Sequence, residues 1–119
     1  MIDRPGLDSV EVTAADTDAR IQVTLPQTLR VRLRGNPSTG YRWLLVDSGK
    51  PVLNSETDEG EFAPDGSGTG LMGAGGYEIW RFHPAAAGKT TLRFEYRRPW
   101  EHGIEPIEAV MYTIEVKPN

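Results

Sequence analysis

Residues 28–46, TLRVRLRGNPSTGYRWLLV, contain two strand patterns joined by a short loop. In residues 28–34, aliphatic side chains alternate with arginines, which is typical of a strand with one buried side and one solvent-facing side. Residues 41–46 are almost continuously apolar, which is typical of a strand that is covered on both sides or crosses the core. We expect Trp43 to be a buried anchor there. The stretch therefore predicts a β protein.

The loop between these two strands, NPSTGY, is expected to be stiff. Pro37 fixes one backbone angle and disfavours the helical region for Asn36, while Gly40 can adopt a positive φ. Few conformations remain for Ser38 and Thr39, so their hydroxyls are expected to be held out on a pre-ordered tip. Taken alone, these residues also fit an ordinary strand connection.

Composition excludes several classes of function. The chain has 119 residues, no cysteine and a net charge of −4. We expect one monomeric domain over residues 1–119 with no cofactor, in which residues 1–18 are a candidate extension of lower order. The lack of cysteine excludes disulfides and thiolate chemistry but leaves the compartment open, periplasmic, secreted or cytoplasmic. The acidic balance argues against nucleic acid and anionic membranes as partners, and neither a membrane span nor a signal peptide is visible.

Alternating segments separated by glycine and proline continue along the chain. After a short first strand containing Val10 and Val12, strands are expected at residues 19–25, 28–34, 41–46, 52–62, 77–83, 89–97 and 107–116. This pattern predicts an all-β fold, an immunoglobulin-like antiparallel β-sandwich of seven to eight strands, with a barrel as the alternative. The arginine side of residues 28–34 is expected to be solvated or paired with carboxylates of a neighbouring strand.

A second unusual stretch, residues 65–76, contains six glycines. Such a segment is either mobile or has a backbone that approaches something closely. A phosphate-binding loop is excluded because no Lys-Ser/Thr follows and the next segment resembles a strand. A bare main chain flanked by Leu71 and Met72 could instead exchange hydrogen bonds with another polypeptide.

The third unusual stretch, residues 98–106, reads RPWEHGIEP and carries Trp100 where the core pattern has stopped. This indole could tuck under its own domain or remain exposed as an anchor for a partner. Alternate connections of a sandwich emerge at the same end. The three unusual stretches are therefore expected to be neighbours in space.

The three stretches resemble the signature loops of the chagasin-like inhibitors of papain-family cysteine peptidases. The family forms are Asn-Pro-Thr-Thr-Gly-Tyr/Phe, Gly-x-Gly-Gly and Arg-Pro-Trp/Phe, and they stand here in the same order at residues 36–41, 73–76 and 98–100. The resemblance extends from about Ile21 to Lys117. Ser38 replaces the usual threonine, which keeps the hydroxyl and removes a methyl group from the packing in the target's cleft.

The resemblance implies a reversible, non-covalent inhibitor that presses three loops into the active-site cleft of a papain-family peptidase. The first loop would lie over the catalytic cysteine and histidine, the second would line the non-primed side, and Trp100 would pack on the primed side. The peptidase-binding residues implied by the resemblance are Asn36, Pro37, Ser38, Thr39, Gly40, Tyr41, Leu71, Met72, Gly73, Ala74, Gly75, Gly76, Arg98, Pro99 and Trp100.

Two other classes of function are weighed against this interpretation. An immunoglobulin-like binding or adhesion module for a different protein or a glycan is the alternative, although a glycan site does not need the glycine-rich stretch. An enzyme has little support, because His83 and His102 are the only histidines and no hydrolase motif or metal-ligand pair accompanies them. The acidic residues at 56–61 lack the spacing of a calcium loop and are expected to be solvated.

Overall fold

The computed structural model of the chain describes residues 9–56, 60–64 and 75–118. Within these ranges the chain forms nine strands and two short 3-10 turns, the latter at Ala14–Asp16 and Pro37–Thr39. The strands are β1 (Ser9–Val12), β2 (Arg20–Thr24), β3 (Thr28–Gly35), β4 (Arg42–Ser48), β5 (Leu53–Ser55), β6 (Glu61–Pro64), β7 (Gly76–Pro84), β8 (Gly88–Arg97) and β9 (Glu108–Lys117). No helix in the described part of the chain is long and apolar enough to cross a membrane.

The strands form two sheets that pack as a sandwich, which confirms the predicted fold class. The first sheet has the order β1-β3-β7-β5, with β6 also on β7, and the second has the order β2-β9-β8-β4. Two details differ from the prediction. The segment expected at residues 52–62 is divided into β5 and β6, and each sheet has a parallel pair at one edge, β1 with β3 and β2 with β9. Alternation fixes which side of a strand is buried but not the direction of its neighbour, so the sequence pattern did not reveal the parallel pairs.

Alternating positions of both sheets supply the core. Trp43 is 2% exposed, which confirms it as a buried anchor. The Phe94 ring lies 4.8 Å from the Trp80 ring and 6.4 Å from the Tyr112 ring, measured between centroids. The other buried core residues are Val12, Val23, Leu29, Val31, Leu33, Leu53, Phe82, Leu92, Val110, Ile114 and Val116. Each fully buried large apolar side chain contributes about 1.5–3 kcal/mol, so this core holds both sheets in a fixed relation.

Residues 41–46 were expected to be covered on both sides or to cross the core, and Val46 departs from both expectations. Val46 is 54% exposed, and β4 lies at an edge of the second sheet, next to β8. The register between β4 and β8 also shifts between Leu45 and Asp47. Such a bulge places an extra residue in one strand and interrupts the alternation of buried and exposed side chains.

The arginine side of β3 is paired with a carboxylate, one of the two arrangements expected. Glu11 on β1 lies 3.4 Å from Nε of Arg30 and 3.2 Å from Nε of Arg32. The Arg32 guanidinium also lies 4.4 Å from the centre of the Tyr77 ring. This outer face of the first sheet is therefore a network of charges and an aromatic ring.

Candidate functional site

Two connections and the ends of a third lie at one end of the sandwich. We call them the central loop (residues 36–41), the glycine-rich loop (residues 65–75) and the tryptophan loop (residues 98–107). Gly35 at the end of β3 pairs with Gly76 at the start of β7, so the central and glycine-rich loops adjoin on the first sheet.

The second sheet brings the tryptophan loop to the same end. Arg42 at the start of β4 pairs with Arg97 at the end of β8. The central loop ends and the tryptophan loop begins at this pair. The central loop therefore connects the two sheets, with the glycine-rich loop joining β7 on one side and the tryptophan loop leaving β8 on the other.

The central loop contains the 3-10 turn Pro37–Thr39, and its hydroxyls form hydrogen bonds within the loop. Thr39 Oγ1 donates to the Asn36 carbonyl at 2.7 Å and accepts the Tyr41 N–H at 3.2 Å. Ser38 Oγ donates to Asn36 Oδ1 at 2.7 Å. The Ser38 and Thr39 side chains are exposed, as expected, but their hydroxyl hydrogens point back into the loop. The sequence signal for this was available, since Asn followed by Ser and Thr is typical of turns closed by side-chain to backbone hydrogen bonds.

Aromatic side chains of β4 and β8 support the base of the central loop. The Asn36 N–H donates to the Tyr96 hydroxyl at 3.1 Å, and Trp43 Nε1 donates to the Arg34 carbonyl at 2.9 Å. The Tyr96 ring lies 4.9 Å from the Trp43 ring and 5.5 Å from the Tyr41 ring. Both ends of the loop are thus attached to the core.

Trp100 stays outside the core, which decides between the two positions considered from the sequence. Its side chain is 64% exposed, and its indole lies against Gly40. A Cβ atom added to Gly40 would be 2.5 Å from Cη2 of the indole, and Gly40 has the expected positive φ, 84°. Arg98 adds a second link, because its Nε donates to the Thr39 carbonyl at 3.3 Å and its guanidinium lies 4.5 Å from the Tyr41 ring centre. The central and tryptophan loops therefore form one continuous surface.

The glycine-rich loop is described only at its end. Gly75 and Gly76 lie beside β3, whereas Leu71, Met72, Gly73 and Ala74 lie outside the described residues. A Cβ atom added to Gly75 would be 3.2 Å from the carbonyl oxygen of Gly35. A close backbone approach was one of the two arrangements expected for this stretch, and at Gly75 the backbone approaches Gly35 at the base of the central loop.

A buried carboxylate, which the sequence interpretation missed, lies at the base of the central loop. Glu78 on β7 is 3% exposed; its Oε2 accepts the Trp43 N–H at 3.0 Å, and its Oε1 lies 3.8 Å from Nε of Arg42. Burial raises the pKa of Glu78 above its usual value, while the hydrogen bond from Trp43 and the charge of Arg42 act in the opposite direction. The sequence did contain a signal for this burial, because Glu78 lies on the same inward side of β7 as Trp80 and Phe82.

The two histidines take no part in these loop contacts. His83 is near the end of β7, where its Nε2 lies 2.7 Å from Oε2 of Glu56, and His102 is exposed in the tryptophan loop. Across the described ranges, no three His, Cys, Asp or Glu side chains are arranged to hold a metal ion.

Comparison with known proteins gives a consistent result. Residues 22–116 match the model of the chagasin family of peptidase inhibitors, I42. Chagasin of Trypanosoma cruzi is 31% identical to this chain over 113 residues, which cover 93% of this chain and 99% of chagasin. Amoebiasin-2 of Entamoeba histolytica is 28% identical over 107 residues, 89% of this chain and 84% of that protein.

Solved structures share the same architecture. A cysteine protease inhibitor from Entamoeba histolytica superposes with a TM-score of 0.81 at 24% identity, covering 92% of this chain and 96% of the other. Leishmania mexicana ICP is 34% identical with a TM-score of 0.55, covering 87% and 90% of the two chains. The similarity to the Entamoeba histolytica inhibitor establishes the fold. Leishmania mexicana ICP is the more similar of the two in sequence.

Proposed function

Since this chain belongs to the chagasin family of peptidase inhibitors, we propose that it inhibits papain-type cysteine peptidases by inserting its central, glycine-rich and tryptophan loops into their active-site cleft. The observation that supports the proposal is the position of the central loop, the tryptophan loop and the end of the glycine-rich loop at one end of the sandwich, where Gly35 pairs with Gly76 and Arg42 pairs with Arg97. A cleft needs a partner segment that can enter it, and the exposed Ser38 and Thr39 of the central loop could supply that segment.

Pre-ordering of the loops supports tight binding. The hydrogen bonds of Thr39 within the central loop and the contact between Trp100 and Gly40 exist before any partner is bound. Docking would then order few additional side chains, which is the usual way for an interface of standard size to reach high affinity. Trp100 presents a large exposed aromatic surface, the kind of side chain that dominates interface energetics.

The backbone of the central loop explains how the chain would block a peptidase without being a substrate. Peptidases of this class cleave peptide segments that lie extended in the cleft, whereas Pro37–Thr39 form a 3-10 turn. The chain contains no cysteine, so a thiol or disulfide bond to the catalytic cysteine is excluded. Inhibition is therefore reversible and non-covalent, by occlusion of the catalytic cysteine and histidine.

Titration of several papain-type peptidases with the purified protein tests this proposal, with a serine peptidase as the negative control. We expect one inhibitor molecule to block one papain-type active site, activity to return on dilution, and the inhibitor to be recovered uncleaved. Failure to inhibit every papain-type enzyme tested, or equal inhibition of the serine peptidase, would contradict the proposal.

Replacing Thr39 by valine tests the bracing of the central loop. The substitution keeps the shape of the side chain but removes both hydrogen bonds of Oγ1. We expect the inhibition constant to rise about 30-fold, because the two bonds together contribute about 2 kcal/mol to loop order. Thr17→Val is the matched control, since Thr17 Oγ1 accepts the Met111 N–H at 3.1 Å outside the three loops. Equal inhibition constants for the two variants would show that the bracing is unimportant.

A further inference from the structure

We propose that Glu78 is a positioning residue for inhibition, whose ionised carboxylate holds the start of β4 and thereby sets the orientation of the central loop. This inference rests on the proposed function. It concerns a side chain that is buried and would not touch the peptidase itself.

Glu78 joins the two sheets directly below the central loop. It lies on β7 of the first sheet, while its partners Arg42 and Trp43 are the first two residues of β4 in the second sheet. A Cβ atom added to Gly35 would be 3.2 Å from Oε2 of Glu78 and 3.5 Å from the Tyr96 ring. The bare backbone of Gly35 therefore leaves room for the carboxylate between β3, β4 and β8.

Two groups with N–H donors face Glu78, one at each carboxylate oxygen. The Trp43 N–H points at Oε2, and the Arg42 guanidinium lies nearest to Oε1, which has no hydrogen bond of its own. An ionised carboxylate presents acceptors to both groups. A protonated acid or a glutamine amide turns an O–H or NH₂ donor toward one of them, so one link is lost.

Among the described residues, one charged side chain forms an ion pair with Glu78. Arg42 is the charged group that faces it from β4, and Tyr96 is the titratable group on β8 that packs beside it next to Gly35. Its paired neighbours are Leu33 on β3 and Phe62 on β6. Because Glu78 is the carboxylate among these groups, a pH effect on the base of the central loop can be assigned to its titration.

The ionised form of Glu78 does not favour folding. Because its pKa in the folded protein is raised, the folded state binds the proton more tightly than the unfolded state does. The stability contributed by this group is fully present below the usual glutamate pKa of 4.5 and is lost as the pH rises through the raised pKa of the folded state. Relative to the protonated form, the ionised carboxylate therefore lowers stability, and the benefit that we propose for it lies in loop geometry.

Glu78→Gln separates the two roles. At neutral pH we expect this variant to unfold at the same or a higher denaturant concentration than the wild type, yet to inhibit a papain-type peptidase about 10-fold less well. If Glu78 had only a structural role, the variant would unfold at a lower denaturant concentration and would also inhibit less well. Glu115→Gln on β9, away from the loops, is the matched control and should change neither quantity.

The pH dependence supplies the decisive comparison. The ratio of the inhibition constants of Glu78→Gln and wild type removes the titration of the peptidase itself. This ratio should fall toward one as the pH drops through the raised pKa of Glu78. A ratio of one at neutral pH, or a constant ratio at every pH, would overturn the proposal.

Backbone amide signals of the free protein give a readout that needs no peptidase. In the wild type, the signals of Trp43 and of residues 38–41 should shift over the same acidic window, whereas in Glu78→Gln they should stay constant. If these shifts occur but no papain-type enzyme is inhibited, the proposed function fails while the link between Glu78 and the loop stands. Constant signals in the wild type would overturn the link itself.

Discussion

Replacement of Trp100 by alanine is expected to weaken inhibition of a papain-type peptidase by between about 30-fold and about 1,000-fold. This range corresponds to about 2–4 kcal/mol, the loss usual for a large aromatic anchor at the centre of an interface. The indole is 64% exposed in the free protein, so its removal leaves no buried cavity in the sandwich. Thermal unfolding of the variant should therefore stay close to that of the wild type.

Val46→Ala is the control for Trp100→Ala, because Val46 is also an exposed apolar residue, 54% exposed on β4, but it lies outside the three loops. Fluorine-labelled tryptophan distinguishes direct contact from an indirect effect. The chain has three tryptophans, and Trp43 and Trp80 are buried, so only the Trp100 resonance should shift strongly when the peptidase binds. Unchanged inhibition by Trp100→Ala would remove the tryptophan loop from the interface.

The position of the central and tryptophan loops beside the end of the glycine-rich loop could be predicted from the sequence because it follows from topology. Alternating apolar residues define the strands, and alternate connections of a sandwich emerge at one end. The two parallel edge pairs do not disturb this rule, since β1 and β2 lie at the outer edges of their sheets. The family resemblance and the physical interpretation therefore agreed on which loops belong together.

Contacts between residues that are distant in the chain could not be predicted in this way. The exposure of Trp100 depends on the backbone of Gly40 in another loop, and the local sequence of the tryptophan loop is the same whether the indole is buried or exposed. The role of Glu78 depends on the two donors that β4 brings to it. The match of Glu78 with Trp43 and Arg42 is set by the packing of one sheet on the other, which alternation within a strand does not encode.

Replacement of Gly40 by alanine is expected to weaken inhibition by about 100-fold while the sandwich remains folded. Two effects combine at this position. The backbone has a φ of 84°, where an L residue is disfavoured by about 1–2 kcal/mol, and the new Cβ would lie 2.5 Å from Cη2 of Trp100. Relief of this clash must move the indole, the central loop or both. The measurement is the inhibition constant, together with thermal unfolding as a check of the fold.

Gly103→Ala separates backbone strain from the clash. Gly103 also has a positive φ, 73°, but a Cβ atom added there meets nothing within 4 Å. Strain alone should therefore raise the inhibition constant much less than Gly40→Ala does.

A second comparison isolates the indole. When Gly40→Ala is added to Trp100→Ala, the new Cβ no longer meets the ring, so it should weaken inhibition less than it does in the wild type. If the effects of the two substitutions were additive, Gly40→Ala would weaken inhibition equally with and without the ring. The contact between the central and tryptophan loops would then be irrelevant to docking.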